Sequence, residues 1–117
     1  MLRTKRSSFG VIARIRGLPE KAEELRRRLL VLAGLTRHED GCISCEMIEN
    51  ELDSTEFTLL EEWSDEKAHN AHFGTNPIQN ALHFLPSLLS GELDLHKHVL
   101  RLNTVKYGTN SYGLAVR

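Results

Sequence analysis

The sequence predicts an α+β domain of ferredoxin-like β-α-β-β-α-β order, built on an antiparallel sheet. Three observations carry this prediction. Residues 9–16 and 55–63 show the apolar alternation of half-buried strands, residues 20–38 carry an apolar stripe at helical spacing, and a second helical segment precedes a last extended stretch at 92–102.

In the first strand, Phe9, Val11, Ala13 and Ile15 fall on one face. Gly17-Leu18-Pro19 turns the chain, and Pro19 suits the first turn of a helix. Ala22, Leu25, Leu29, Leu32, Ala33 and Thr36 then recur on one side of that helix, which Glu39-Asp40-Gly41 ends. Strand two is expected at 42–49, turn chemistry at 50–54 and strand three at 55–63. Ser64 reads as the N-cap of the next helix, with Asp65 and Glu66 in its first turn. That helix breaks near Gly74. Thr75 or Asn76 caps a restart with Pro77 just inside, Ile78, Ala81, Leu82 and Leu85 form its stripe, and Pro86 ends it. Gly91 opens the last strand.

At 117 residues the chain is one domain with one core and no room for a separate cofactor domain. Residues 9–102 form it, flanked by a basic, flexible segment at 1–8 and a tail at 103–117 that is either flexible or an arm ordered across a dimer. Lys plus Arg number 15 against 16 Asp plus Glu, a balance that gives no support to a nucleic-acid partner. No apolar run approaches the ~20 residues of a bilayer span, and the basic start lacks the apolar stretch of a secretory signal, so no membrane partner is expected and the cytoplasm is the expected location.

One layer of helices covers only one face of a four-stranded sheet. Strand three puts Phe57, Leu59 and Trp63 on one face and Leu60 on the other. Strand four puts Leu93, Leu95 and Val99 on one face and Leu100 and Leu102 on the other. Apolar groups on both faces call for a second cover, which a homodimer formed through the sheet provides.

The chemistry-bearing residues gather at the junction from strand three to the second helix. Glu61, Trp63, His69 and His72 combine a carboxylate, an indole and two imidazoles there, with His69 and His72 on one helix face. Cys42 and Cys45 form a C-x-x-C, but an offset of three in a strand points the side chains to opposite faces. A redox pair normally opens a helix, and a structural zinc needs two more ligands. Two half-buried thiols are expected instead. His69 with His72, or His96 with His98, have spacings that reach one ion, yet neither pair has a third ligand in any familiar motif, so no metal site is expected.

Residues 9–102 resemble the antibiotic biosynthesis monooxygenase family, including its quinol monooxygenase branch. The likeness lies in Glu39-Asp40-Gly41-Cys42, similar to the family's acidic-Gly-Cys entry to strand two, and in Phe57-Thr58-Leu59-Leu60-Glu61-Glu62-Trp63, similar to its strand ending in Glu-x-Trp. It extends to His72, nine residues after Trp63, followed by Thr75 and Ile78-Gln79. The resemblance implies a dimeric α+β barrel with a pocket between sheet and helices in each subunit. It implies oxygenation of a small phenolic, quinol or polyketide-like aromatic substrate by O2 without metal, flavin or haem.

Such chemistry needs a base, donors for the developing anion and a pocket that excludes water. His72 is the candidate base or orienter, or else a packed histidine bonded to a carbonyl. Glu61 either fixes the imidazole or a substrate hydroxyl, or pairs with Arg14 or Arg16. Trp63 is either an aromatic wall or core. By the same resemblance His69, Leu60, Cys45 and Leu82 contact the substrate. His69 stands where relatives usually carry an aliphatic residue, and Cys45 and Leu60 where aromatics are common, so the pocket is less aromatic than that of a polyketide oxygenase. A non-catalytic binding module, an isomerase and a haem-degrading oxygenase are the alternatives. The last lacks the Asn expected on its first strand, although His83 lies near its helical ligand position.

Overall fold

The computed structural model describes the backbone of residues 3–105 and the side chains of residues 7–99. The elements run β1 (Arg3–Arg16), a 3-10 turn (Pro19–Lys21), α1 (Ala22–Thr36), β2 (Cys42–Asn50), β3 (Asp53–Trp63), α2 (Glu66–His72), α3 (Asn76–Leu88) and β4 (Asp94–Val105). The sheet order is β2-β3-β1-β4, with every neighbouring pair antiparallel. This is the ferredoxin-like α+β arrangement expected from the sequence.

Register fixes which side chains meet the helices. Phe9, Val11, Ala13 and Ile15 of β1 stand opposite Trp63, Glu61, Leu59 and Phe57 of β3. Directly opposed residues share a face, and these eight line the helix side. Leu25 and Leu29 of α1 are fully buried against that layer, each stabilising the fold by about 1.5–3 kcal/mol relative to exposure. Ala81, Leu85 and Leu88 of α3 complete the same core.

Several boundaries differ from the sequence pattern for physical reasons. β1 begins at Arg3 rather than Phe9, because residues 3–8 pair through their backbone with residues 100–105 of β4 and need no apolar alternation to do so. Asp65, not Ser64, caps α2, its carboxylate accepting from the Ala68 N–H at 2.8 Å. Ser64 is engaged elsewhere, its N–H donating to the Gly41 carbonyl at 2.7 Å. Pro86 lies inside the last turn of α3 rather than ending it, and the ladder continues past it as the Leu89 N–H donates to the Leu85 carbonyl. Of the tail expected at 103–117, residues 103–105 extend β4, and residues 106–117 lie outside the described residues, as do the side chains of Leu100 and Leu102.

The C-x-x-C reading changes most. A register shift between Cys42 and Ser44 places Cys42 opposite Trp63 and Cys45 opposite Glu61. The extra residue of this bulge restores the parity that an offset of three would break. Both thiols therefore face the helices, Cys45 fully buried and Cys42 partly so.

Candidate functional site

The loop that closes α1 carries the partner of the candidate base. Gly41 adopts φ +81°, and a Cβ there would sit 2.5 Å from the Cβ of Ala68 on α2. Only glycine meets both demands at low cost. Its close approach seats the 39–41 loop against α2, and Glu39 reaches His72. The imidazole Nδ1 lies 2.7 Å from Oε1 and 3.0 Å from Oε2 of Glu39. Both side chains are withdrawn from solvent, 4% exposed for His72 and 16% for Glu39. A carboxylate only accepts, so Nδ1 donates, and neutral His72 keeps its lone pair on Nε2.

Glu61, for which holding this imidazole was one of the expected roles, is bonded elsewhere. Its Oε1 accepts from the Trp63 Nε1–H at 2.8 Å. Burial pushes the Glu61 carboxyl up, and the nearby Glu39 charge adds to that. The Trp63 bond and the charge of His72 pull it back. Arg16, offered as a structural partner for Glu61, pairs instead with Asp53 and Glu56.

His69 follows His72 one turn back on the same face, with ring centroids 6.2 Å apart. Its ring packs between Phe9, Trp63 and Phe73 at centroid distances of 5.5, 5.7 and 4.9 Å. Burial chiefly, helped by the charges of Lys97 and His72, pushes it down to about 4. It is neutral at pH 7.

Glu61, His69 and His72 line a cavity of about 60 Å³ between sheet and helices, otherwise walled by apolar side chains from β1, α1, α3 and β4. Its rim is half-open where Leu82, Leu93 and Leu95 are 48%, 40% and 38% exposed. Leu82 is thus at the mouth. A much larger groove, about 840 Å³, runs over the outer side of α1 and α3 along Arg27, Arg28 and Phe84. Arg28 is paired with Glu24 there and lies over the Phe84 ring. That groove gathers no buried titratable group, whereas the smaller cavity is lined by Glu61, His69 and His72.

The remaining expected contacts fall elsewhere. Trp63 is fully buried and does not line the cavity. It backs the imidazoles, 5.1 Å from the His72 ring, so its place is behind the site rather than against a ligand. Cys45 packs in the core beside Glu61 without reaching the cavity. Burial foremost, then the charge of Glu61, pushes Cys42 up to about 11 and Cys45 up to about 12, so both are thiols at neutral pH. Leu60 stands on the opposite face, registered with Ile12 and Glu46. His83 is exposed on α3, away from the cavity. His96 and His98 lie on the outer face of β4, opposite Ile12 and Gly10, and His96 pairs with Asp94 at 2.8 Å. Among the described residues no three His, Cys, Asp or Glu side chains gather to hold a metal ion. Glu39 is the partner of His72 that sequence reading missed. Its signal was the Glu39-Asp40-Gly41 motif, read as a helix stop and as the entry to strand two but not as a partner for His72.

A histidine held by a partly buried carboxylate at the wall of an apolar cavity thus sits in an α+β domain of ferredoxin-like order. The chain belongs to the antibiotic biosynthesis monooxygenase family, which matches residues 8–83. It is similar to Rv0793 from Mycobacterium tuberculosis, with 28% identity and a TM-score of 0.73 over 78% of this chain and 92% of that one. PA3566 from Pseudomonas aeruginosa is 27% identical with a TM-score of 0.72, covering 81% and 93%. SO0527 from Shewanella oneidensis, at 22% identity and a TM-score of 0.76 over 86% and 99%, shares the fold. No curated protein matches the chain. No described helix is long and apolar enough to cross a membrane.

Proposed function

We propose that the protein is a cofactor-independent monooxygenase of a small phenolic or quinol ring, working as a homodimer through its sheet. The observation that carries this reading is the Glu39–His72 pair at the wall of an apolar cavity. A phenolic anion reduces O2 far more readily than the neutral phenol does. His72 Nε2 accepts the hydroxyl proton, and Glu39 stabilises the imidazolium that forms. Every electron that O2 accepts comes from the ring. One oxygen atom enters the ring at a C–H carbon, the other leaves as water, and the diol becomes a hydroxylated quinone. The apolar walls keep bulk water from the anion.

The dimer reading rests on the uncovered face, where Leu60 and Ile48 are 37% and 46% exposed. The test is oxygen uptake by metal-stripped protein, with chelator present, over a panel of hydroquinones, naphthalenediols and anthrones. Uptake above autoxidation with an oxygenated product by mass spectrometry supports the reading. Absence of any enzyme-dependent uptake across the panel sinks it and leaves a binding module of the same fold.

A further inference from the structure

We propose that the cavity between sheet and helices is the site that holds O2, and that the aromatic ring lies across its mouth rather than inside it. This rests on the reading of the protein as a monooxygenase.

Size decides what the cavity admits. An apolar cavity of about 150 Å³ takes up benzene, and one water occupies about 30 Å³ of the liquid. At about 60 Å³ the present cavity is too small for an aromatic ring and large enough for a diatomic molecule. The ring therefore stays at the rim, where Leu82, Leu93 and Leu95 keep part of their surface exposed.

The wall decides between water and O2. Leu59 of β3, Ala13 of β1 and Leu95 of β4 form one row across the sheet, and all three line the cavity. The single methyl of Ala13 between two leucines leaves a gap, which apolar side chains of α1 and α3 roof over. Three polar residues reach this wall, yet their atoms are largely committed. Glu61 Oε1 accepts from Trp63, His72 Nδ1 donates to Glu39, and His69 Nδ1 is fully buried, so the surface left to the cavity is almost wholly apolar. An enclosed water needs at least about two polar partners. O2 is apolar and needs none, and it gains dispersion contacts with the walls.

A gap in a core destabilises the fold, and a β-branched side chain at position 13 would close it while suiting a strand. The alanine instead keeps space beside His72, which lines the same cavity. An anion formed at the mouth by loss of its proton to that imidazole then meets O2 already held against it.

The first test reads binding on the unaltered protein. With ¹³C-labelled alanine methyls, dissolved O2, which is paramagnetic, should relax the Ala13 methyl more strongly than those of Ala33 and Ala81. These two are buried at least as deeply but lie off the cavity. Relaxation of Ala13 no greater than theirs, or a long-lived water cross-peak to the Ala13 methyl, overturns the proposal. The second test fills the space. With the substrate that oxygen uptake identifies, Ala13→Val should lower kcat/KM for O2 by at least about ten-fold, the effect of added methyl groups in a tight pocket, and leave KM for the phenolic substrate nearly unchanged. Circular dichroism checks that the variant is folded. An unaltered kcat/KM for O2, or a loss shared equally with the phenolic substrate, overturns the proposal while the monooxygenase reading stands. Absence of uptake on every substrate sinks that reading, and the assignment of the cavity to O2 falls with it.

Discussion

His72 Nδ1 lies 2.7 Å from Glu39 Oε1, so a side chain of α2 is held by a carboxylate from the loop after α1, 33 positions earlier in the chain. The pair sets both the tautomer and the orientation of the imidazole. His72→Ala should lower kcat by about 10²–10⁴-fold, the usual contribution of a general base. Glu39→Gln keeps the shape but can present its amide N–H to Nδ1, which favours the wrong tautomer, and should lose at least about ten-fold in kcat. Single-turnover oxygen uptake on folded variants checks both. A Glu39→Gln protein with full kcat would remove Glu39 from the mechanism.

Gly41 makes that pair possible. An alanine there must hold φ near +81° and place its Cβ 2.5 Å from Ala68 Cβ. Backbone strain of this kind costs about 1–3 kcal/mol, and the clash adds to it. Gly41→Ala should therefore lower the urea midpoint and, by moving the 39–41 loop off α2, reduce turnover as Glu39→Gln does. Unaltered stability with unaltered turnover would show that the loop has another way to seat Glu39.

The order of elements was legible because it depends on local signals: alternation at 9–16, the stripe of Leu25, Leu29 and Leu32, and turns at Pro19 and Gly91. Strand parity also separates Leu60 from Leu59 and Trp63. Placing Leu60 in the pocket followed the family resemblance, and parity prevails in the register. What stayed hidden is what tertiary contact decides. The bulge at Ile43 is a one-residue slip in pairing with β3, invisible in residues 42–45 taken alone, and it brings Cys42 and Cys45 to one face. Glu61 was the carboxylate that the sequence reading set beside His72, yet the partner arrives from a distant loop seated by the Gly41–Ala68 contact. Trp63 does stand beside the imidazoles, but the packing of α2 sets them in front of it.

Burial of neutral His69 makes stability depend on pH. The folded state holds its pKa down to about 4 against an ordinary value of 6.5, so between those values the unfolded chain binds more protons. Stability from this group is complete above about 6.5 and is lost as pH falls toward 4, a change of about 3 kcal/mol in all. Glu61 works with the opposite sign. Its raised pKa gives stability that is full below its ordinary 4.5 and is lost as pH rises through the raised value. The two slopes overlap, so the difference between the unaltered protein and His69→Leu isolates the histidine. Urea unfolding at pH 7.5 and 4.5 should show the unaltered protein losing more stability than the variant. Parallel losses would contradict the neutral, buried state of His69.

The cysteines give a test of the bulge. Both face the helix layer, and both are pushed far above neutral pH, Cys42 to about 11 and Cys45 to about 12. The thiolate is the reactive form. At pH 8 iodoacetamide should label neither thiol in the folded protein while labelling both in urea. Had Cys42 and Cys45 pointed to opposite faces, one of them would stand on the outer face of the sheet and react quickly. Mass spectrometry of tryptic peptides distinguishes the two patterns.

Leu60 is the most direct probe of the proposed homodimer. It stands on the outer sheet face between Ile12 of β1 and Glu46 of β2, with Glu62 one register step away. On a free surface Leu60→Glu changes stability by no more than about 0.5 kcal/mol. At a sheet-to-sheet interface it sets an unpaired carboxylate among apolar groups and beside two others of the same charge, a cost of about 3–5 kcal/mol when the charge is buried without a partner. Because the two-fold axis repeats the substitution on both subunits, the dimer dissociation constant should rise by at least about 100-fold. Sedimentation velocity over a dilution series measures it, with circular dichroism confirming that the monomer stays folded. A Leu60→Glu protein that remains dimeric at nanomolar concentration would place the interface away from this face. An unaltered protein that is monomeric throughout the series would remove the dimer altogether.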